Sequence, residues 1–177
     1  TNGNVILHKN GFYNHSLSIG AVFQDYNKYE FTPRENIYFG NIENADNTDE
    51  IIYAAKKSGA HDFISHLNNQ YETPIGTLFP DSTLLSGGEW QRLSVARGFF
   101  SEGYLFILDE PNSSLDAKIE AELYEKYKTV ISENKCISCF ISHRLGATRM
   151  CDRIVVLDNG EIIEEGTFEQ LMKKKGK

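Results

Sequence analysis

Apolar positions along the chain follow two rhythms. Tyr104 to Leu108 is a short unbroken run of strand length, and Cys136 to Ile141 is another interrupted only by Ser138, the pattern of parallel strands covered on both faces. Between them, Ile119, Leu123, Tyr127 and Val130 recur at three- and four-residue intervals, which predicts a helix over Asp116 to Glu133. Strand, helix and strand in succession is α/β logic rather than sandwich logic. Upstream, Val5 to Leu7 and Leu17 to Phe23 are short, bounded by turn formers, and predicted to be strands. Residues 32 to 70 change character. Thr48 is placed to cap a helix through Lys57 with Gly59 beyond it, and His61 to Leu67 forms a second helical stretch before Asn68-Asn69. This predicts a mainly helical insert between strands. Ser86 and Glu89 have the spacing of a capping box and open a helix to Phe100. Ile154 to Leu157, then Asp158-Asn159-Gly160, then Glu161 to Glu164 predicts a hairpin with a two-residue turn. A last helix starts at Thr167, with Gln170 three residues on, and ends in Lys173-Lys174-Lys175, where basic residues oppose the helix dipole.

A chain of 177 residues with 40% apolar content suits one domain with its own core. Its apolar runs fall far short of the roughly 20 residues that a membrane crossing needs. With 25 acidic against 18 basic residues, a formal charge of -7 argues against a surface built to hold nucleic acid by its phosphates. Cys136 and Cys139 form a CxxC inside Lys-Cys-Ile-Ser-Cys-Phe-Ile. On a strand, positions three apart point to opposite faces, so buried strand thiols are expected rather than a metal or redox pair. Three cysteines do not make a disulfide framework, and a cytosolic setting fits them. The chain starts at Thr1 without methionine or the order of a secretory signal, so a fragment is expected.

The candidate chemistry lies at strand ends. Phe106-Ile107-Leu108-Asp109-Glu110-Pro111 puts two adjacent carboxylates where an apolar strand emerges, and Pro111 stops its simple continuation. Such a pair is costly unless a cation or donors compensate it, and can hold Mg2+ and orient a water for attack on a phosphoryl group. A loop cap is the ordinary alternative. Ser86-Gly87-Gly88 at a helix start can form an anion site from exposed amides, or be no more than a capped turn. Gln24 follows one predicted strand and His143 another; singly, each reads equally as a solvated or structural residue. Their joint order with Asp116 points to one phosphate site, because ligands of open α/β sheets sit outside the carboxyl ends of the strands.

These residues resemble the nucleotide-binding domain of ATP-binding cassette (ABC) transporters. Leu85-Ser86-Gly87-Gly88-Glu89-Trp90-Gln91-Arg92 looks like the family signature, and Leu105-Phe106-Ile107-Leu108-Asp109-Glu110-Pro111 like its Walker B motif. Phe23-Gln24-Asp25 resembles the Q-loop, Ser114-Leu115-Asp116 the D-loop, and Ile141-Ser142-His143-Arg144 the switch-histidine region. The resemblance runs from about Gly3 to Leu171, and Thr32-Pro33-Arg34-Glu35-Asn36-Ile37 with the Gly76 region is closest to exporters; Trp90 leans toward bacterial peptide and bacteriocin exporters. It implies an α/β fold, a P-loop NTPase-like parallel sheet core with a helical subdomain at 26–92 and a catalytic core from 1–25 plus 93–177. It implies ATP and Mg2+ as cofactors. Asp109 and Gln24 would hold the metal, Glu110 would polarise the attacking water, and His143 would contact the γ-phosphate, with Gln24 also relaying the state of the site. Ser86, Gly87, Gly88, Glu89 and Asp116 would serve nucleotide binding, the signature acting on the ATP of a second ABC ATPase domain paired head to tail. The other partner would be the transmembrane domain of a transporter, met around Tyr26, Tyr29 and Phe31 unless these pack internally, at the cytoplasmic face of the membrane and without nucleic acid.

The chain departs from the pattern in one respect. No segment reads GxxxxGK[ST], the loop that cradles phosphates. The resemblance puts that Walker A loop, with its strand and helix, upstream of Thr1 to Leu7, and puts the strand between the one leading to His143 and the one containing Ile154 to Leu157. A fold lacking the N-terminal Walker A strand and helix is therefore expected, inactive alone. Two other readings are a non-hydrolysing half that lends its signature to a partner, and a soluble cassette ATPase outside transport.

Overall fold

The computed structural model describes residues 19–101, 103–110, 117–134, 136–143 and 145–174. The predicted strand at Val5 to Leu7 and the residues Pro111 to Asp116 lie outside them. Three short apolar segments, β1 (Ile19–Val22), β2 (Leu105–Asp109) and β3 (Ile137–Ile141), pair in parallel in the order β1-β2-β3. Their register aligns Ile19 with Leu105 and Leu105 with Ile137, and Asp109 with Ile141. All three strands therefore end on one rim. The fold is a P-loop NTPase-like parallel sheet core with flanking helices.

The helices precede and separate the strands. α1 (Pro33–Tyr38) starts at a capping box made by Thr32 and Glu35. α2 (Thr48–Ser58) is capped by Asn47 rather than Thr48, the Asn47 side chain accepting from the Glu50 N–H, and ends at Gly59 with a left-handed φ of 75°. α3 is shorter than predicted, His61–Ile64, and Ser65 to Leu67 continue as turns. α4 (Gly87–Phe100) is the central helix. It buries Trp90, Leu93, Val95, Ala96, Phe99 and Phe100, covering nearly its whole circumference, as a helix does when elements surround it. β1 lies close against α4: a Cβ on Gly20 would stand 3.0 Å from the Gly98 carbonyl oxygen, and one on Gly98 would stand 2.9 Å from Val22.

α5 (Ala117–Asn134) brings Leu123, Tyr127 and Val130 into the same core, with Phe99 edge-on to Tyr127 at 5.4 Å. After α6 (Leu145–Thr148), β4 (Ile154–Asp158) and β5 (Glu161–Gly166) form the predicted hairpin. Asn159 and Gly160 both take positive φ, 49° and 82°, as a tight primed turn requires. α7 (Phe168–Lys174) is opened by Thr167, whose N–H donates to Gln170 Oε1 while its hydroxyl accepts from the Gln170 N–H.

Two expectations need correction. β2 and β3 are not covered on both faces by described residues: Phe106 and Leu108 are buried, whereas Ile137 and Ile141 are half exposed. Cys139 is correspondingly exposed, not buried. The reason is the register, which puts Ile19, Leu105 and Ile137 in one row and Ala21, Ile107 and Cys139 in another, on the face turned away from α4. Cys136 and Cys151 are partly covered and burial pushes both thiols up, which makes them poor nucleophiles. Among the described residues no helix is long and apolar enough to cross a membrane.

Candidate nucleotide site

The rim is built by three strand ends. Asp109 is the last residue of β2; Gln24 follows β1 by two residues and His143 follows β3 by two. Register alone puts Gln24, the Asp109-Glu110 pair and His143 on the same edge. Side-chain geometry joins two of them: His143 Nδ1 donates to Glu110 Oε1 at 2.8 Å. Against a carboxylate only the Nδ1–H form of a neutral ring makes this bond, and a doubly protonated ring can donate from both nitrogens at once. His143 is exposed and Glu110 is mostly covered. Gln24 is exposed and Asp109 half-buried.

Glu110 also has an unusual backbone. Its φ is +47°, the left-handed region, which for a residue with a Cβ costs about 1–3 kcal/mol and persists only when surroundings hold it. Two hydrogen bonds do so. The Glu110 N–H donates to the Ile141 carbonyl at 2.9 Å, and Gln91 Nε2 on α4 donates to the Glu110 carbonyl at 3.1 Å.

The signature residues stand at the start of α4. Ser86 is the N-cap; its N–H and hydroxyl donate to Glu89 Oε2 at 2.7 and 2.8 Å, and its hydroxyl accepts from the Glu89 N–H at 3.3 Å. Glu89 is thus engaged in shaping the helix start. Ser86 and Gly87 are exposed, and a Cβ on Gly87 would meet nothing within 4 Å among the described residues. A backbone so open on its own molecule has room for something from outside it. Asp116 lies outside the described residues.

Several contacts were not readable as site features. Tyr26 is half-buried, and its hydroxyl donates to the Gly87 carbonyl at 2.9 Å, tying the segment after Gln24 to the signature helix; burial raises the Tyr26 pKa. Tyr29 lies edge-on to Phe39 and under the Arg97 guanidinium at 4.4 Å. All three aromatics have internal partners, Phe31 lying edge-on to Phe39 at 5.8 Å, and Phe31 is the one that stays exposed. Gln91 was visible only as a letter of the signature string. Its polarity alone gave no signal, because Glu89, Arg92, Ser94 and Arg97 lie on the same helix.

A hollow lined by Glu50, Tyr53, Phe99 and Tyr104 lies toward the opposite end of β2, where Tyr104 precedes the strand.

With this geometry in view, likeness to known proteins identifies the class. The family described as ABC transporter matches residues 2–113, and the chain belongs to that family. Among relatives, the subtilin transport ATP-binding protein SpaT of Bacillus subtilis is 43% identical over 155 residues, covering 88% of this chain and 25% of its own length. The nisin transport ATP-binding protein NisT of Lactococcus lactis subsp. lactis is 39% identical over 165 residues, covering 92% and 26% respectively. A solved bacterial Atm1-family ABC exporter with ATP bound superposes with a TM-score of 0.77 at 31% identity, over 90% of this chain and 27% of that one. The chain thus spans about a quarter of the length of the relatives it matches.

Proposed function

We propose that this chain is the major part of an ATP-binding and ATP-hydrolysing domain that powers transport of a peptide or other exported compound across a membrane. The observation that carries the reading is the Glu110–His143 contact on a rim where three parallel strands end together. The solved relative that superposes on the chain has ATP bound, which supports the same assignment.

The donor set fits the cofactors ATP and Mg2+. Asp109 and Gln24 offer oxygen ligands, which suit a hard cation. A bound Mg2+ would neutralise charge on the phosphoryl group being transferred. Glu110 would accept a hydrogen bond from the attacking water and orient it in line. His143, bonded to Glu110 through Nδ1, would direct Nε2 at a phosphate oxygen, as donor when the ring is doubly protonated. The open amides at Gly87 and Gly88 would meet the nucleotide of a second such domain, with Ser86 and Glu89 shaping the helix start and Asp116 serving the same interface.

In this reading residues 26–92 form a helical subdomain, with 1–25 and 93–177 in the catalytic core. The phosphate-cradling loop, with its strand and helix, comes from outside the 177 residues. The half-exposed Ile19, Phe23, Ile137 and Ile141 support that view, since an apolar sheet face calls for a covering element. The partners are a second ATPase domain, head to tail, and a transmembrane domain, with the chain at the cytoplasmic face.

The test is ATP turnover by the complete protein carrying Glu110→Gln. Loss of general-base action predicts a fall of roughly 10²- to 10⁴-fold with nucleotide binding retained. Parent-like turnover by that variant refutes the assignment of Glu110.

A further inference from the structure

Glu110 holds a left-handed backbone while its carboxylate accepts from His143 Nδ1. Among the described residues, the sheet restrains the N–H side through the Ile141 carbonyl. On the carbonyl side, the described residues place the Gln91 side chain of α4 as a donor. Gln91 is 1% exposed and sits on α4 one turn after Gly87. The Gln91 backbone carbonyl accepts from the Ser94 hydroxyl at 2.8 Å, which adds a buried polar contact at the same turn of the helix.

A polar amide in the middle of a core helix is costly to bury unless its hydrogen bonds require that place. Here the amide reaches the peptide of the residue that the proposed chemistry depends on. The same helix begins at the open signature glycines, and the carbonyl of Gly87 is the acceptor for Tyr26. One rigid element therefore carries the signature at its first residue and a restraint on Glu110 one turn later.

We propose that Gln91 is a positioning residue for Glu110: its amide holds the left-handed Glu110 peptide so that the carboxylate faces His143, and it ties that placement to the helix bearing the signature. This rests on the reading of Glu110 as the water-orienting carboxylate. Gln91 touches no reacting atom and acts through the Glu110 backbone.

The experiment is a double-mutant cycle in the complete protein. Steady-state ATP turnover and binding of a fluorescent trinitrophenyl-ATP are measured for the parent, Gln91→Met, Glu110→Gln and the double variant. Methionine keeps the length and unbranched shape of glutamine without its N–H donors. Misplacing a catalytic group by about 1 Å is expected to lower kcat roughly 10- to 100-fold, with nucleotide binding and KM little changed. In the Glu110→Gln background, where no carboxylate remains to be positioned, Gln91→Met is expected to change the residual rate by less than about twofold. The inference is overturned by an unchanged kcat in Gln91→Met, by an equal fold-loss in both backgrounds, or by loss of nucleotide affinity in step with kcat. If Glu110→Gln lowers the rate and the two losses multiply, the inference alone fails. If Glu110→Gln turns over like the parent, the functional reading fails and this inference with it. Should Gln91→Met not fold, Gln91→Asn keeps an amide but withdraws it by one methylene, and carries the same expectation.

Discussion

Arg97 fastens the central helix to the segment that follows Gln24, and its removal should be felt throughout that junction. Its Nε donates to the Asn36 carbonyl and its Nη2 to Asn36 Oδ1, both at 2.8 Å, while Nη1 reaches the Asn27 carbonyl at 3.3 Å. Asn36 is fully buried and uses its own amide on the carbonyls of Tyr29 and Thr32 at 2.7 and 3.0 Å. Burial lowers the Arg97 pKa, a sign that the charge is largely withdrawn from water. Each short bond from a charged donor contributes about 1.5–3 kcal/mol. Stacking on Tyr29 adds about 0.5–1 kcal/mol. Freedom from burying the guanidinium offsets part of this, so Arg97→Met is expected to destabilise the junction by about 3 kcal/mol. Arg97→Lys keeps a charge but not the planar fork, and should cost less than Met yet more than nothing. The assay is amide hydrogen exchange on the complete protein, read in peptides spanning residues 27–36 and 90–100. A loss of about 3 kcal/mol corresponds to exchange roughly a hundredfold faster. Exchange within about threefold of the parent would refute the view that this guanidinium is a structural tie.

Gly87→Ala separates folding from function. The added methyl meets nothing within 4 Å among the described residues, so stability should stay within about 0.5 kcal/mol of the parent by thermal unfolding. Overpacking a close contact with a nucleotide held by a second domain costs about 1–3 kcal/mol, so ATP turnover by the complete protein should drop roughly tenfold or more; an unchanged rate would argue against that contact. Glu30 gives a pH dependence of defined sign. Its carboxylate accepts from the N–H of Thr77, the Thr77 hydroxyl and the N–H of Leu78 at 2.7, 3.0 and 2.9 Å, and these bonds hold its pKa below the usual carboxylate value against a smaller opposing effect of burial. Its stabilisation of the loop after Gly76 is therefore present above the ordinary carboxylate range and is lost as pH falls through the lowered value. Protection of the Thr77 and Leu78 amides, corrected for intrinsic exchange, should decline over that range and lose this dependence in Glu30→Gln; an identical profile in both proteins would contradict the assignment.

Features set by neighbours in the chain were open to direct reading. The Ser86–Glu89 capping box, the Asn159-Gly160 turn and the strand–helix–strand succession around Asp109-Glu110 depend on residues within a few positions of each other, or on apolar periodicity. Local reading erred where adjacent residues compete for one role. Asn47 and Thr48 both suit an N-cap, and the choice of Asn47 rests on which side chain meets the Glu50 N–H. It also erred on Cys139, because a strand with apolar residues on both of its faces does not reveal which face is covered.

The amino-acid order by itself determined a parallel α/β core, the caps that start α4 and α7, and the strand ends at which Gln24, Asp109, Glu110 and His143 emerge. Tertiary structure alone decided that His143 meets Glu110, that Tyr26 reaches Gly87 across a separation of 61 residues, and that Gln91 turns inward to the Glu110 carbonyl. The division is physical. A cap or a turn is closed by hydrogen bonds within one short stretch, whereas these contacts exist only after α4 has packed against the sheet and brought distant backbone into reach.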